Sequence, residues 1–380
     1  MIKLRTLTLA TALLGLTIGA LAQDKAPLAL VQTIPLPGLH QKDLDHFGVD
    51  LPGDRLFLAL EHDAAVGVFD LHTGNLVHLI SSVKTPHSFV YRADLKKLFV
   101  VDGGAGEVKV YDADSYKLVG SIDLRMGADS NAFDTSTKYM FVGNGGKLEN
   151  QLYSFLSILD TTEAKKLADI KIDASYIDTI VLERSGPRLF FNIPTKNEVG
   201  VIDRKKRAVI ATWPIDQVAQ NNHTMAFDEQ HHRLFVTCDN PPTLIILDSD
   251  SGKVVTSLPS VSEVDDTDFD AQTNRIYVAG SDFVNVFQEK DADHYEQIGH
   301  VPSAFRAHTA ILVPKLSRYY VAAPPHGDKQ GALLIYKVAP AGTESLNTAH
   351  YLTPHYVLMI VIKCCMWRTR QRAACRQNST

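Results

Sequence analysis

Cysteine is scarce in this 380-residue chain: there are four, and three of them (Cys364, Cys365 and Cys375) sit at the C-terminal end. Only Cys238 lies in the body, so no disulfide framework is available and the fold must rest on an apolar core. Cys238 ends an apolar run and reads as a small buried hydrophobe. Basic excess is also lacking, with 38 Lys and Arg against 43 Asp and Glu and a net charge of −5. That balance argues against a dedicated nucleic-acid binder. Between residues 23 and 338 no apolar run approaches the ~20 residues of a membrane span, so the body reads as soluble, with no membrane partner. There is no Gly-x-Ser-x-Gly elbow, no haem-attachment motif and no dinucleotide fingerprint. Cys238 has only His231 and His232 nearby in sequence, at the far-end turn, which speaks against a cysteine nucleophile.

The two ends differ in character from the rest. Residues 1–22 carry Lys3 and Arg5, an apolar stretch from Leu7 to Leu21, and Ala20-Leu21-Ala22 before Gln23. This is the three-part pattern of a cleaved secretory signal, and it predicts a periplasmic or secreted protein cut between Ala22 and Gln23. From Ala339 onward the pattern of the body stops; Tyr356 to Trp367 is apolar and Arg368, Arg370, Arg372 and Arg376 follow. Residues 339–380 read as a disordered or non-native tail.

What the body has in abundance is repetition. Arg55-Leu-Phe-Leu-Ala, Lys97-Leu-Phe-Val-Val, Tyr139-Met-Phe-Val-Gly, Arg188-Leu-Phe-Phe-Asn, Arg233-Leu-Phe-Val-Thr, Arg275-Ile-Tyr-Val-Ala and Arg318-Tyr-Tyr-Val-Ala are versions of one phrase. Each is too short for a helix and fits a buried strand. A turn cluster such as Pro52-Gly53-Asp54 precedes it, and an alternating strand ending in aspartate, such as Val66 to Asp70, follows most copies. A fourth, more polar strand closes each unit. A period of roughly 40–47 residues with four strands per unit predicts an all-β, seven-bladed β-propeller over residues 23–338. The last unit lacks its fourth strand, and Ala29 to Ile34 lies upstream with nothing to pair with. An N-terminal strand completing the last blade would remove that open edge.

Each unit opens with a polar residue: His46, His87, Asn131, Asp178, His223, Asp266 and His308. In a propeller the first strand lines the channel, so these positions form a ring. The loops joining second and third strands, including Glu61-His62-Asp63, Asp102-Gly103-Gly104 and Asp239-Asn240, make a rim on the same face. The ring is uneven. His308, His46 and His87 come from blades that become neighbours on closure, and three imidazoles with an open position are a known zinc arrangement. His223 is a further candidate ligand. Asp178, His223 and Asp266 lie opposite as candidate bases, with Glu61 at the rim as general acid or extra ligand. Zinc suits the donors best; manganese, iron, nickel and copper suit them too. The same residues also serve the plainer role of lining a hydrated channel. Tyr153, Phe155, Tyr176 and Phe305 are candidates for shaping a pocket or for packing between blades.

Two glycine clusters, Gly103 to Gly106 and Gly143 to Gly146, lack a following helix and read as hairpin turns rather than phosphate loops. The acidic run from Glu263 to Asp270 lacks calcium-loop spacing.

Arg275-Ile-Tyr-Val-Ala-Gly, Arg233-Leu-Phe-Val-Thr-Cys-Asp-Asn and Leu244-Ile-Ile-Leu-Asp-Ser-Asp-Ser-Gly-Lys253 resemble the YVTN-type repeats of exported bacterial seven-bladed propellers, a group similar to the lactonase-type propellers. The resemblance covers residues 28–338. It implies a fold and leaves function open, because such propellers include lactonases, sensors and scaffolds. Calcium-dependent lactonase propellers favour carboxylate and amide oxygens, from which this histidine-rich ring departs. Two functional expectations follow: a metal-dependent hydrolase of an ester-like bond (phosphoester or lactone) taking a small-molecule substrate in the channel funnel, or a non-enzymatic propeller binding a ligand or partner on its rim.

Overall fold

A computed structural model describes residues 26–39 and 43–340. The signal segment, and the tail from residue 341, lie outside the described residues. The described chain forms 28 strands, numbered here β1–β28 in chain order, arranged in seven four-stranded antiparallel sheets. This is the seven-bladed propeller expected from the repeat. Blade 1 consists of β2 (Asp45–Asp50), β3 (Arg55–Leu60), β4 (Ala65–Asp70) and β5 (Leu76–Ile80), and the next five blades repeat that order. Blade 7 has β26 (Thr309–Val313), β27 (Arg318–Ala323) and β28 (Gly331–Val338) from the C-terminal side, completed by β1 (Leu28–Leu36).

The apolar runs are continuous, rather than alternating with polar residues, because the two middle strands of each blade are covered on both faces. Period-2 alternation sends neighbouring residues to opposite sides. In β3, Leu56 and Leu58 pack towards blade 7, while Phe57 and Ala59 pack towards blade 2. The same division puts Leu189 and Phe191 against blade 3, and Phe190 against blade 5. The core is therefore seven inter-blade layers rather than one centre. Cys238 belongs to the layer between blades 4 and 5, fully buried, with its thiol pushed up to about 12 chiefly by desolvation. It behaves as the hydrophobe its position suggests.

Closure depends on β1. It pairs with β28 from Leu28↔Val338 to Leu36↔Gly331, with one bulge between Leu30 and Gln32. Polar contacts tie the closed blade to blade 1: the Tyr320 hydroxyl donates to the Leu71 carbonyl at 2.6 Å, and Thr309 Oγ1 donates to the Leu44 carbonyl at 2.9 Å. Ala339 and Pro340, expected to fall beyond the fold, still touch it. Ala339 N donates to the Pro27 carbonyl at 3.0 Å and Arg275 Nη1 donates to the Ala339 carbonyl at 2.6 Å.

Starting the chain after Leu36 should leave β28 as a bare sheet edge and uncover Leu333 and Leu334, which are buried. The expected outcome is association into larger species than the full chain forms on size exclusion, and a lowered urea midpoint; an unchanged midpoint would contradict closure by β1.

Candidate metal centre in the channel mouth

The inner strands β2, β6 (Pro86–Arg92), β10 (Asn131–Asp134), β14 (Asp178–Leu182), β18 (Gln220–Asp228), β22 (Asp266–Asp270) and β26 begin at one face of the ring, where the opening residues stand. Four of these strands are interrupted at that position. Ladder register shifts between Asp45 and Phe47, Pro86 and Phe89, Asp178 and Ile180, and Asn222 and Thr224. Such bulges insert an unpaired residue and re-aim side chains. They fall on His46, His87 and His223, and in blade 4 on Thr179, directly after the paired Asp178, whereas Asn131 and Asp266 sit in unbroken ladders. In blade 1 the bulge allows the consecutive residues Asp45 and His46 both to reach the channel.

The result is a belt of alternating acids and bases around the mouth. His46 Nδ1 lies 2.9 Å from Asp266 Oδ1, and His46 Nε2 lies 3.4 Å from Asp45 Oδ1. The other oxygen of Asp45 makes a short bond to His87 Nδ1, and His87 Nδ1 lies 3.7 Å from Asp129 Oδ1. The Tyr176 hydroxyl bridges Asp129 Oδ2 at 3.2 Å and Asp178 Oδ2 at 3.0 Å. Asp178 Oδ2 then meets His223 Nδ1 at 3.0 Å, and His223 Nε2 lies 3.8 Å from Asp239. Gly103 is required beside this belt, since a Cβ there would stand 2.8 Å from the His87 ring and 2.5 Å from the Ala128 carbonyl.

Electrostatics in the belt is a contest between burial and mutual attraction. Burial opposes the Asp45 charge, but His46 and His87 outweigh it and bring the carboxyl down to about 2. Burial opposes protonation of His87, yet Asp129, Asp45 and Glu61 lift it to about 10. Asp265 is pushed up to about 7, mainly by burial and with Asp45 and Asp266 adding repulsion. Glu61 is raised by burial and by Asp45. Desolvation, with Asp178 and Asp129 alongside, holds Tyr176 protonated well above its ordinary range.

The three histidines expected as ligands do not stand together in one candidate group among the described residues. His308 Nδ1 lies 2.9 Å from the Glu263 backbone carbonyl, and its influence on the belt is a charge felt at Asp265. Two groups of ligand atoms in the mouth come within 4.8 Å of one another, Asp45–Glu61–His87 and Asp45–His46–Asp265, and His308 and His223 are in neither. The physical reason is that His46, His87 and His223 are each drawn to a carboxylate, while His308 is held by a backbone carbonyl. Asp266, expected as a base, accepts instead from Ala310 N at 2.8 Å as well as facing His46. Asp268 does the same for Leu312 N at 3.1 Å, so the acidic run of blade 6 satisfies amides of the blade 7 inner strand.

Asp45, Glu61, His87, Asp129, Lys147, Tyr176, Asp178 and Asp265 line one cavity of about 340 Å³ at the mouth. Of the four aromatic residues considered for shaping a pocket, Tyr176 is the one in this wall, with Lys147 Nζ 3.8 Å from its ring centre. Tyr153 and Phe155 pack on each other, and Phe305 on His326. Asn131 and Asp266 face a deeper channel cavity of about 240 Å³. The residues not foreseen, Asp45, Asp129 and Asp265, all stand one or two positions before an opening residue.

With the geometry in place, comparison with known proteins adds the fold class. Neither a protein-family model nor a curated protein sequence matches this chain. Among solved structures, it is similar to a chain from a crystal structure of a mitotic checkpoint complex (TM-score 0.68, 14% identity), over 83% of this chain and 93% of that one. It is also similar to a chain of Kuenenia stuttgartiensis hydrazine synthase (TM-score 0.63, 15% identity), over 76% and 96%. The chain is a seven-bladed β-propeller; at these identities the likeness is one of fold alone.

Asp268 is pushed up to about 8, chiefly by burial and then by Asp266. Its folded pKa exceeds the unfolded 3.8, so the folded state binds the extra proton between the two values, and stability falls as pH rises through that window. Asp268→Asn should therefore flatten the decline between pH 5 and 9 by about 1–3 kcal/mol relative to wild type. Urea melts at both pH values check this; parallel pH profiles would contradict it.

Proposed function

We propose that the channel mouth binds a divalent transition metal through Asp45, Glu61 and His87, and that the chain is a metal-dependent hydrolase of a small ester-like substrate, phosphoester or lactone. The observation that carries this reading is the convergence of two carboxylates and an imidazole within 4.8 Å in the wall of a cavity with room for a small molecule. The donor set fits such an ion: one nitrogen and two carboxylates suit zinc or manganese, and the positions are held by the blade 1 and blade 2 bulges. Bound there, the metal would supply Lewis acidity and an activated water.

The chain's own residues divide the remaining work. Asp178, fixed by Ser130 Oγ at 3.0 Å and Thr179 N at 2.8 Å, pairs with His223 as the proton-accepting dyad of the far wall. Tyr176, held protonated, donates to a developing negative charge, and Lys147 beside it favours an anionic group. His46 and Asp266 position Asp45. The signal-like residues 1–22 support export to the periplasm or beyond, and the repeat phrases support a place among YVTN-type propellers.

A second reading, a rim that binds a partner without catalysis, draws on Leu148 and Leu152, which are 61% and 85% exposed on the turn between blade 3's second and third strands. It would leave channel variants fully competent to bind.

Glu61→Gln and His87→Ala should each remove metal at the mouth, and with it chelator-sensitive hydrolysis in an ester and phosphoester panel. Asp178→Asn should keep the metal and lower kcat by about 10²-fold. Wild-type protein that takes up neither zinc nor manganese would overturn the proposal.

A further inference from the structure

At the opposite end of blade 5, far along β18 from the mouth, the repeat breaks its own rule. The carboxylate ending an inner strand is normally neutralised. In blade 1, Asp50 Oδ2 holds Arg55 Nη2 at 2.6 Å; in blade 3, Asp134 bonds Arg204; in blade 4, Glu183 Oε1 takes Arg188 Nε at 2.6 Å. In blade 6, Asp270 has no such arginine bond, but Gln272 N and Thr273 Oγ1 satisfy its two oxygens at 3.0 and 2.8 Å. Blade 5 has the arginine in the paired position, Asp228↔Arg233, yet Arg233 turns away. Its guanidinium goes to the Ala292 carbonyl at 2.8 Å, Asp248 at 3.0 Å and Asp293 at 3.1 Å.

Asp228 keeps the Gln230 amide on Oδ1 at 2.9 Å, and its Oδ2 is left facing His231 and Glu289. His231, on the turn after β18, places Nδ1 2.7 Å from Asp228 Oδ2 and 3.2 Å from Glu289 Oε1. Glu289 comes from the next blade, on β24 (Phe283–Asp291), where the Tyr295 hydroxyl steadies Oε1 at 3.1 Å. One atom from each of the three residues lies within 4.8 Å of the other two. Asp228 and Glu289 are 3% and 1% exposed, so both carboxylates are withdrawn from water. Asp228 Oδ2, His231 Nδ1 and Glu289 Oε2 nevertheless have no hydrogen-bond partner of acceptable geometry. Two buried carboxylates side by side, each keeping one oxygen without a well-aligned donor, carry a desolvation penalty that the single His231 imidazole offsets only in part. The other nearby charges are committed elsewhere: Glu229 to the Arg184 and Ser185 amides at 2.9 and 2.7 Å, and Lys290 to Glu296 at 2.8 Å.

We propose that Asp228, His231 and Glu289 form a second divalent-cation site, a structural staple for a zinc- or manganese-type ion that joins the blade 5 inner hairpin to blade 6. Its net charge of two carboxylates matches the ion, and its imidazole favours a transition metal over calcium. His231 is partly exposed, with its side chain at 28%, which gives the ion a way in. The site is independent of the channel mouth and stands whether or not the mouth is catalytic. Binding to the folded state alone would raise the melting temperature.

The test is a count of equivalents on chelator-stripped, full-length protein titrated with zinc and, separately, manganese, together with the melting temperature. Wild type should bind two equivalents. Glu289→Gln, nearly isosteric, and His231→Ala should each bind one and lose the larger part of the metal-induced rise in melting temperature, while His87→Ala also binds one but keeps that rise. Wild type with one equivalent that survives in His87→Ala and disappears in Glu289→Gln would support the staple and remove the mouth site. Glu289→Gln and His231→Ala retaining the wild-type count and melting response would overturn the staple, as would a wild type that binds no ion.

Discussion

The constraint on which everything else depends is that each blade must bury both of its faces against neighbours. A sheet with two apolar faces has no stable place at the end of a row, so the row has to close, and β1 closes it by pairing with β28. Closure then dictates the chemistry at the centre. Seven inner strands meet with one edge each unpaired, and polar side chains must fill the space between them. Asp266 and Asp268 accepting from the Ala310 and Leu312 amides are the plainest instance.

Once polar groups are obliged to gather in a confined channel, their protonation becomes a collective matter. Burial penalises every charge in the belt, and each charge persists only where an opposite one is near. Alternation of acid and base from Asp266 round to Asp239 is the arrangement that reconciles the two demands. It also explains why no cluster of histidines forms: an imidazole beside an imidazole would have gained nothing, whereas beside Asp45, Asp178 or Asp266 it is held and oriented. The candidate ligand group at the mouth is thus mixed, with Asp45 shared between His46 and His87.

Most of the architecture was legible in the sequence, because a strand covered on both faces must be apolar throughout and seven such phrases recur. Phe57 and Leu58 could be assigned to opposite inter-blade layers from period 2 alone. The opening residues were legible as a ring for the same reason. What pattern could not reveal was the bulge: one extra residue in β2 or β18 leaves the hydrophobic pattern intact while turning Asp45 towards the channel with His46. Asp129 was hidden for a related reason, lying in the crossing between blades 2 and 3, where spacing carries no strand periodicity. Carboxylates just upstream of His46, Asn131 and Asp266 were the available signal. The staple residues were harder still, since Glu289 reaches Asp228 only through blade-to-blade packing.

The central claim is that this symmetric scaffold holds a metal on one side of its channel, between blades 1 and 2. Crystals grown with manganese and measured for anomalous scattering test it most directly. The account predicts an anomalous peak in the mouth bonded to Asp45, Glu61 and His87. A mouth without anomalous density, in crystals whose Asp45 and His87 keep their direct bond, would contradict it.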